Sequence, residues 1–293
     1  MQKNLFARGG LPLVSKVAYA GNLKESIELS VSLIGGIQKL VKKGDTILLK
    51  PNYNTADPYP GSSDPEFIKA VIMMLYEAGA EKVILGERTA FLHSRRVLEQ
   101  AGIVKVAEEA GAEVIVFGKD GWHEIFDRKG WRRIKVPGGQ YLRKVSLAKE
   151  ALEIEKTVYV PLIKTHHAAE FTGAIKLSMG FVKPFFDQIT FHARHLQEKL
   201  AELQLVIKPD LIIIDARKVF ITRGPAKGEI REPNLILASG NQVAIDVEGV
   251  KILQSYHGNT LEGKNVWDLV QIKHAVELGL GPHNEEEYKV VQP

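Results

Sequence analysis

Short apolar runs recur along the chain, with amphipathic stretches between them. TILLK (46–50), KVILGE (82–87), EVIVFG (113–118), TVYVPLIK (157–164), LIIID (211–215) and LILAS (235–239) are rich in Val, Ile and Leu. Runs that are apolar on both faces suit parallel strands covered by helices on two sides. Between the first two, SSDPEFIKAVIMMLYEAGA has helical periodicity. Ser63 and Glu66 have capping-box spacing, Pro65 suits the first turn and Gly79 suits a C-terminal stop. SRRVLEQAGIVKVAEEAGA predicts a second helix, weakened in its middle by Gly102. The expected fold class is therefore α/β, a mostly parallel sheet flanked by helices.

From residue 119 the pattern changes. GWHEIFDRKGWRRIKVPGGQYLRKV predicts a β-hairpin excursion near 119–146, with Asp127–Gly130 as its turn and Trp122 and Trp131 nearby. ITFHARHLQEKLAELQLVI (189–207) predicts one helix leading into LIIID, and QVAIDVEGVKILQSY and NVWDLVQIKHAVELG predict closing helices. No repeat, low-complexity tract or strong linker divides the chain. Residues 1–293 are expected to form a single α/β domain, or two lobes (about 1–150 and 151–293) with a cleft between them.

Composition narrows the function. The chain has 293 residues, 45% hydrophobic and 25% charged, which is ordinary for a globular enzyme. The net charge of +4 is modest and its basic residues are dispersed, so nucleic acid is not an expected partner. Cysteine is absent, which excludes disulfides, thiolate nucleophiles and cysteine-ligated metal clusters. MQKNLFARGGLPLVSK lacks the unbroken apolar stretch of a signal peptide, and no run approaches the ~20 apolar residues of a membrane span. The expected location is cytoplasmic, without a membrane partner.

In open parallel sheets ligands bind beyond the carboxyl ends of the strands. The residues found there are Lys50-Pro51-Asn52, Glu87-Arg88, Lys164-Thr165-His166-His167 and Asp215-Ala216-Arg217-Lys218. A single strand-end cation commonly just returns the chain to water. Their coincidence at four strand ends predicts one cationic cleft for a small anionic molecule, with Lys50, Asn52, Arg88 and Lys164 as substrate-binding candidates. Neighbouring residues on a strand diverge, so one of His166 and His167 is expected to face the cleft. A histidine near lysines has a lowered pKa and suits a neutral base or a metal ligand. Thr172-Gly173-Ala174-Ile175-Lys176 offers exposed amides and an amine, or equally a plain helix start. His192 and His195, three apart on the predicted helix, would share a face and could hold a divalent metal. Gly224-Pro225-Ala226-Lys227-Gly228 is a turn that could approach an anion but lacks P-loop spacing. No G-x-S-x-G elbow supports a triad hydrolase, and no G-x-G-x-x-G opens a helix after the first strand.

KPN at 50–52, PLIKTH at 161–166, TGAIK at 172–176, the aspartate of LIIID and GP-x-x-G at 224–228 together resemble the uncharacterised family called domain of unknown function 362, over about Gly44 to Asp246. Members of that family are often fused to ferredoxin-type modules, so the resemblance implies a ferredoxin-type partner protein. This chain has no cysteine for a protein-ligated iron–sulfur cluster, and Leu177 stands where the family usually has asparagine. A more distant similarity lies in H-x-x-x-x-x-T-G-x-x-K, with His192 sixteen residues beyond Lys176. That pattern is similar to the nickel-pincer lactate racemases. It implies His166 and His93 as acid/base catalysts, and Lys176 as the thioamide-linked carrier of a pincer cofactor. Thr172-Gly173 matches a Ser-Gly pair at the cofactor, and His192 falls where nickel is ligated. The expectation is a metal- or pincer-dependent racemase- or epimerase-like isomerase acting on a small carboxylate. Two other readings stand beside it: a non-catalytic anion- or nucleotide-binding module that partners redox proteins, and a divalent-metal hydrolase ligated by Asp187, His192 and His195.

Overall fold

A computed structural model describes residues 4–90, 93–118, 120, 127 and 129–293. The first half supplies strands β1 (Ala7–Arg8), β2 (Leu11–Ala18), β3 (Thr46–Lys50), β4 (Lys82–Glu87), β5 (Glu113–Val116), β6 (Trp131–Lys135) and β7 (Lys144–Ala148). After these come β8 (Lys156–Tyr159), β9 (Lys164–His166), β10 (Glu170–Thr172), β11 (Leu211–Ala216), β12 (Val219–Phe220), β13 (Ile230–Arg231), β14 (Leu235–Ser239) and β15 (Lys289–Val291). The helices that cover them are α1 (Leu23–Leu33), α2 (Pro65–Glu77), α3 (Ser94–Gln100), α4 (Ile103–Glu109), α5 (Glu150–Glu153), α6 (Ala174–Leu177), α7 (Phe186–Ala193), α8 (Leu196–Leu203), α9 (Gln242–Gln254) and α10 (Val270–Glu277).

The central sheet runs β1-β2-β14-β11-β8-β3-β4-β5, with β15 also on β2. Strands from before and after residue 150 therefore interleave. β11, β8, β3, β4 and β5 are mutually parallel and form the expected α/β layer. The run LILAS departs from that expectation, because β14 lies antiparallel to β11. A parallel return needs a crossover of a dozen or more residues, usually a helix. Here the connection folds instead into the small β12–β13 hairpin, with Val219 opposite Arg231.

Alternation along β3 sets the two cores. Ile47 and Leu49 join one apolar cluster with Ile27 of α1, Phe67 of α2 and Ile103 of α4. Leu48 joins the other, with Ile175 of α6, Leu200 of α8, Val247 of α9 and Ile272 of α10. Each fully buried Ile or Leu contributes about 1.5–3 kcal/mol. Both faces are thus sealed, and the exposed edge left for a ligand is the row of strand ends.

Several local expectations are corrected. Asp64, not Ser63, caps α2, its carboxylate accepting from the Glu66 N–H. The Ser63 hydroxyl is engaged elsewhere, accepting the Asn52 N–H at 2.9 Å and so tying down the KPN turn. The predicted second helix is split into α3 and α4 at Gly102, which is left-handed at φ 76°. In the hairpin excursion β6 pairs with β7, and its turn lies at Val136–Arg143 rather than at Asp127–Gly130. Gly138, at φ 81°, gives that turn its reversal. The Asp127 carboxylate instead accepts the Lys129 and Gly130 N–H groups just before β6. Trp122 lies outside the described residues. The predicted helix at 189–207 breaks between α7 and α8, where His195 is left-handed at φ 55°. Among the described residues, no helix is long and apolar enough to cross a membrane.

Candidate functional site

The ends of β3 and β4, the β9–β10 hairpin, α6 and α7 enclose a cavity of about 160 Å³. A single water needs about 10–15 Å³ by a comparable measure, so the space suits several waters or a small organic molecule. Lys50, Asn52, Arg88, Lys164, His166, Thr172, Lys176 and His192 all line it. Strand register explains part of this convergence. Thr172 is paired directly opposite Lys164, and directly opposed residues share a face. His166 is two residues beyond Lys164 and returns to the same face, while Thr165 points away and bonds the Phe220 carbonyl.

The first charged layer is deep and self-contained. Lys50 and Glu87 are each 1% exposed, with Nζ 2.5 Å from Oε1. Glu87 also accepts N–H groups from Tyr53 (2.9 Å) and Arg88 (2.7 Å). Burial drives Lys50 down and Glu87 up, and their mutual contact opposes both shifts. Gly180 exists to admit this pair, since a Cβ there would stand 2.7 Å from Lys50 Nζ. Gly180→Ala is expected to cost about 1–3 kcal/mol through overpacking. The check is a lower denaturation midpoint at unchanged slope.

The second layer faces the cavity. Lys164 is 1% exposed and donates to the Gly61 carbonyl at 2.5 Å and the Pro60 carbonyl at 3.3 Å. Burial, then the neighbouring Lys176 charge, lower its pKa to about 7. Lys176 sits half-buried on α6, and burial followed by the Lys50 charge lower its pKa to about 8. Arg88 donates to the Phe117 carbonyl at 2.8 Å, and burial brings it down to about 10. Within the described residues Lys176 Nζ has neither a hydrogen bond nor an ion pair. Thr172, 3% exposed, likewise has no partner for Oγ1.

The two cavity histidines present opposite chemistry. His166 Nδ1 accepts the Ala168 and Ala169 N–H groups at 3.1 and 3.2 Å. Its proton therefore sits on Nε2. Burial and then Lys176 lower its pKa to about 2, so it stays neutral and offers a donor without a lone pair. His192 Nδ1 lies 2.8 Å from the Gln188 carbonyl, an acceptor only, so His192 carries its proton there and leaves the Nε2 lone pair open. His166 and His167 do not diverge as a regular strand would require. Their rings stack at 4.9 Å, and His167 turns to the Gly224 carbonyl at 3.1 Å. Gly224 is itself obligatory, because a Cβ would fall 1.7 Å from the Thr165 carbonyl oxygen.

Some candidates lie elsewhere. His93 is exposed at the start of α3, in the left-handed conformation, and does not line the cavity. His195 stacks on Tyr141 at 4.3 Å and bonds Glu198 at 3.2 Å, so the helix break separates it from His192. Asp187 accepts the Ser146 N–H at 3.0 Å. No group of three or more His, Cys, Asp or Glu that could hold a metal ion occurs among the described residues. At the fourth strand end, Asp215 and Arg217 form a structural knot. Arg217 bridges Asp64 (2.6 Å) and Asp215 (2.7 Å) and lies over the rings of Tyr19, Tyr59 and Phe67.

Gly173 stands behind the cavity wall, and a Cβ there would clash with the Asp246 carboxylate. Asp246 accepts the Ala174 N–H (2.6 Å) and the Ile175 N–H (2.9 Å), and so pins the turn that carries Thr172 and Lys176. Burial pushes this carboxyl up to about 7 against those two donors. Its positioning role was not singled out from the sequence, although an aspartate in the first turns of QVAIDVEGV, an otherwise largely apolar helix start, is the signal that could have found it.

The family described as domain of unknown function (DUF362) matches residues 47–251, a span that holds every cavity-lining residue. The chain belongs to this family. A relative, the thylakoid-associated protein sll1697 of Synechocystis sp., is 30% identical over 244 residues, covering 80% of this chain and 71% of that protein. Among solved structures, a protein from Thermotoga maritima gives a TM-score of 0.48 at 13% identity, covering 80% of this chain and 59% of that one. The lactate racemase apoprotein from Thermoanaerobacterium thermosaccharolyticum gives 0.47 at 12% identity, covering 84% and 57% respectively. This DUF362 chain therefore spans less than two thirds of either solved structure.

Proposed function

We propose that the cavity binds a small organic carboxylate and moves a proton on its carbon framework, as a racemase- or epimerase-like isomerase. The observation that carries this reading is the Lys176 amine, without a partner among the described residues and facing a cavity walled by cations and the neutral His166. An amine whose pKa lies near 8 is matched to proton transfer near neutral pH. Lys164 and Arg88 supply charge for the carboxylate, and the His166 Nε2–H supplies a neutral donor beside it. Lys176 and the His192 Nε2 lone pair are the two groups able to take and return a proton.

The residues fit a covalently attached cofactor better than a free metal ion. A pincer-type nickel cofactor would need one amine for attachment and one histidine at its metal, which Lys176 and His192 offer; when bound, it would supply a hydride acceptor. The chain's own residues would still hold the carboxylate and exclude water in the same way.

The test is deuterium incorporation into a panel of small hydroxy, oxo and amino acids in D2O, followed by NMR. Incorporation into at least one acid is expected, falling about 10²–10⁴-fold in His192→Ala if His192 is one of the exchanging groups. A protein that is stabilised by these carboxylates but exchanges no proton would instead be the anion-binding module, a reading favoured by the Lys50, Lys164 and Lys176 cluster alone.

A further inference from the structure

Two polar groups lining this cavity lack any partner among the described residues: the amine of half-buried Lys176 and the buried Thr172 hydroxyl. Leaving the buried Thr172 hydroxyl unpaired is costly, so a cavity that it lines together with an unpartnered amine four residues on is built for a ligand that satisfies both. The turn is held rigidly, since Asp246 fixes the amides of Ala174 and Ile175 between them. Glu87, the acid among the residues that line the cavity, is already committed to Lys50 at 2.5 Å, and Lys176 has no ion pair among the described residues. A second cation beside an amine favours its neutral, nucleophilic form.

We propose that the ligand is a 2-oxo acid, and that Lys176 Nζ forms an imine with its carbonyl carbon while Lys164 and Arg88 hold the carboxylate. This rests on the reading of the cavity as a carboxylate site and adds the electrophile. The Nζ lone pair forms the C–N bond as the carbonyl π pair moves to oxygen, which takes one proton from Nζ. The C–O bond of that carbinolamine then breaks as the nitrogen pair forms C=N, and the oxygen leaves as water with the second Nζ proton. Thr172 Oγ1, both donor and acceptor, relays the protons from nitrogen to oxygen. No oxidant or further reactant enters. The imine withdraws electrons from the adjacent carbon, whose proton then becomes accessible to the open His192 Nε2.

The experiment incubates the full chain with pyruvate and sodium borohydride, with propionate as the carboxylate lacking a carbonyl, and reads intact mass and peptide maps. One reduced pyruvate adduct on Lys176 is expected, and none with propionate, although both raise the melting temperature. Lys176→Arg keeps the charge and is expected to lose the adduct while retaining carboxylate stabilisation. Thr172→Val is expected to slow adduct formation by tenfold or more, with the melting shift kept. Stabilisation by both acids without any adduct overturns the imine and leaves the carboxylate site standing. An adduct unaffected by Lys176→Arg, or a Lys176 already carrying a covalent group in the purified protein, also overturns it. If neither acid shifts the melting temperature, the carboxylate reading itself falls.

Discussion

Lys176→Ala is expected to lower proton exchange on a bound carboxylate by about 10²–10⁴-fold, the usual contribution of one positioned acid or base. The same variant is not expected to weaken the fold near neutral pH. Lys176 makes no hydrogen bond or ion pair that the substitution would break among the described residues. Burial already works against its charge, so removing the amine removes a cost of folding. Loss of exchange with an unchanged or raised melting temperature is therefore the signature. A large loss of stability would instead make Lys176 a structural residue.

The second large effect is a stability that rises between about pH 7 and pH 10. An unfolded lysine keeps its proton up to about 10.5, whereas in the fold Lys164 gives it up above about 7 and Lys176 above about 8. In that window the unfolded chain binds more protons, so stability increases with pH; below it the folded chain carries the full cost of the buried ammonium groups. For Lys164, which is almost completely buried, the change is on the order of 5 kcal/mol at most, from 1.36 kcal/mol per unit. Asp246 acts on the other side: its carboxyl, pushed up to about 7, makes stability fall as pH rises towards that value. Above pH 10 the buried hydroxyls of Tyr53 and Tyr159, whose pKa values burial drives upward, reverse the rise. Denaturant titrations at half-unit pH steps should show a shallow minimum near pH 7. A bound carboxylate should flatten it, because the anion stabilises the protonated amines.

Much of the site was legible because parallel strands deliver their ends to one edge. Lys50, Glu87-Arg88 and Lys164 follow apolar runs, and that rule alone brings them together. The spacing from His166 through Thr172 to Lys176 was also readable, since a two-stranded hairpin feeding a short helix keeps all three on one side. What failed depended on distant partners. Arg217 ends a strand just as Lys50 does, yet Asp64 and three aromatic rings, far away in sequence, draw it into a structural contact. His192 and His195 looked like a metal-binding pair only while the helix was taken as continuous. The left-handed backbone at His195, held by Tyr141 and Glu198, carries that ring away. Tautomers were equally hidden, because they follow from which backbone groups meet each Nδ1.

The most direct test of the account is calorimetric titration of the wild-type protein and Lys176→Ala with pyruvate and lactate at pH 8.5, in two buffers of different ionisation enthalpy. The account predicts binding accompanied by net proton uptake for the unreactive acid, since the anion recharges the Lys164 and Lys176 amines, and a reduced uptake once Lys176 is removed. Binding that is absent, or whose proton uptake is the same in both proteins, would contradict the placement of Lys176 at the centre of the site.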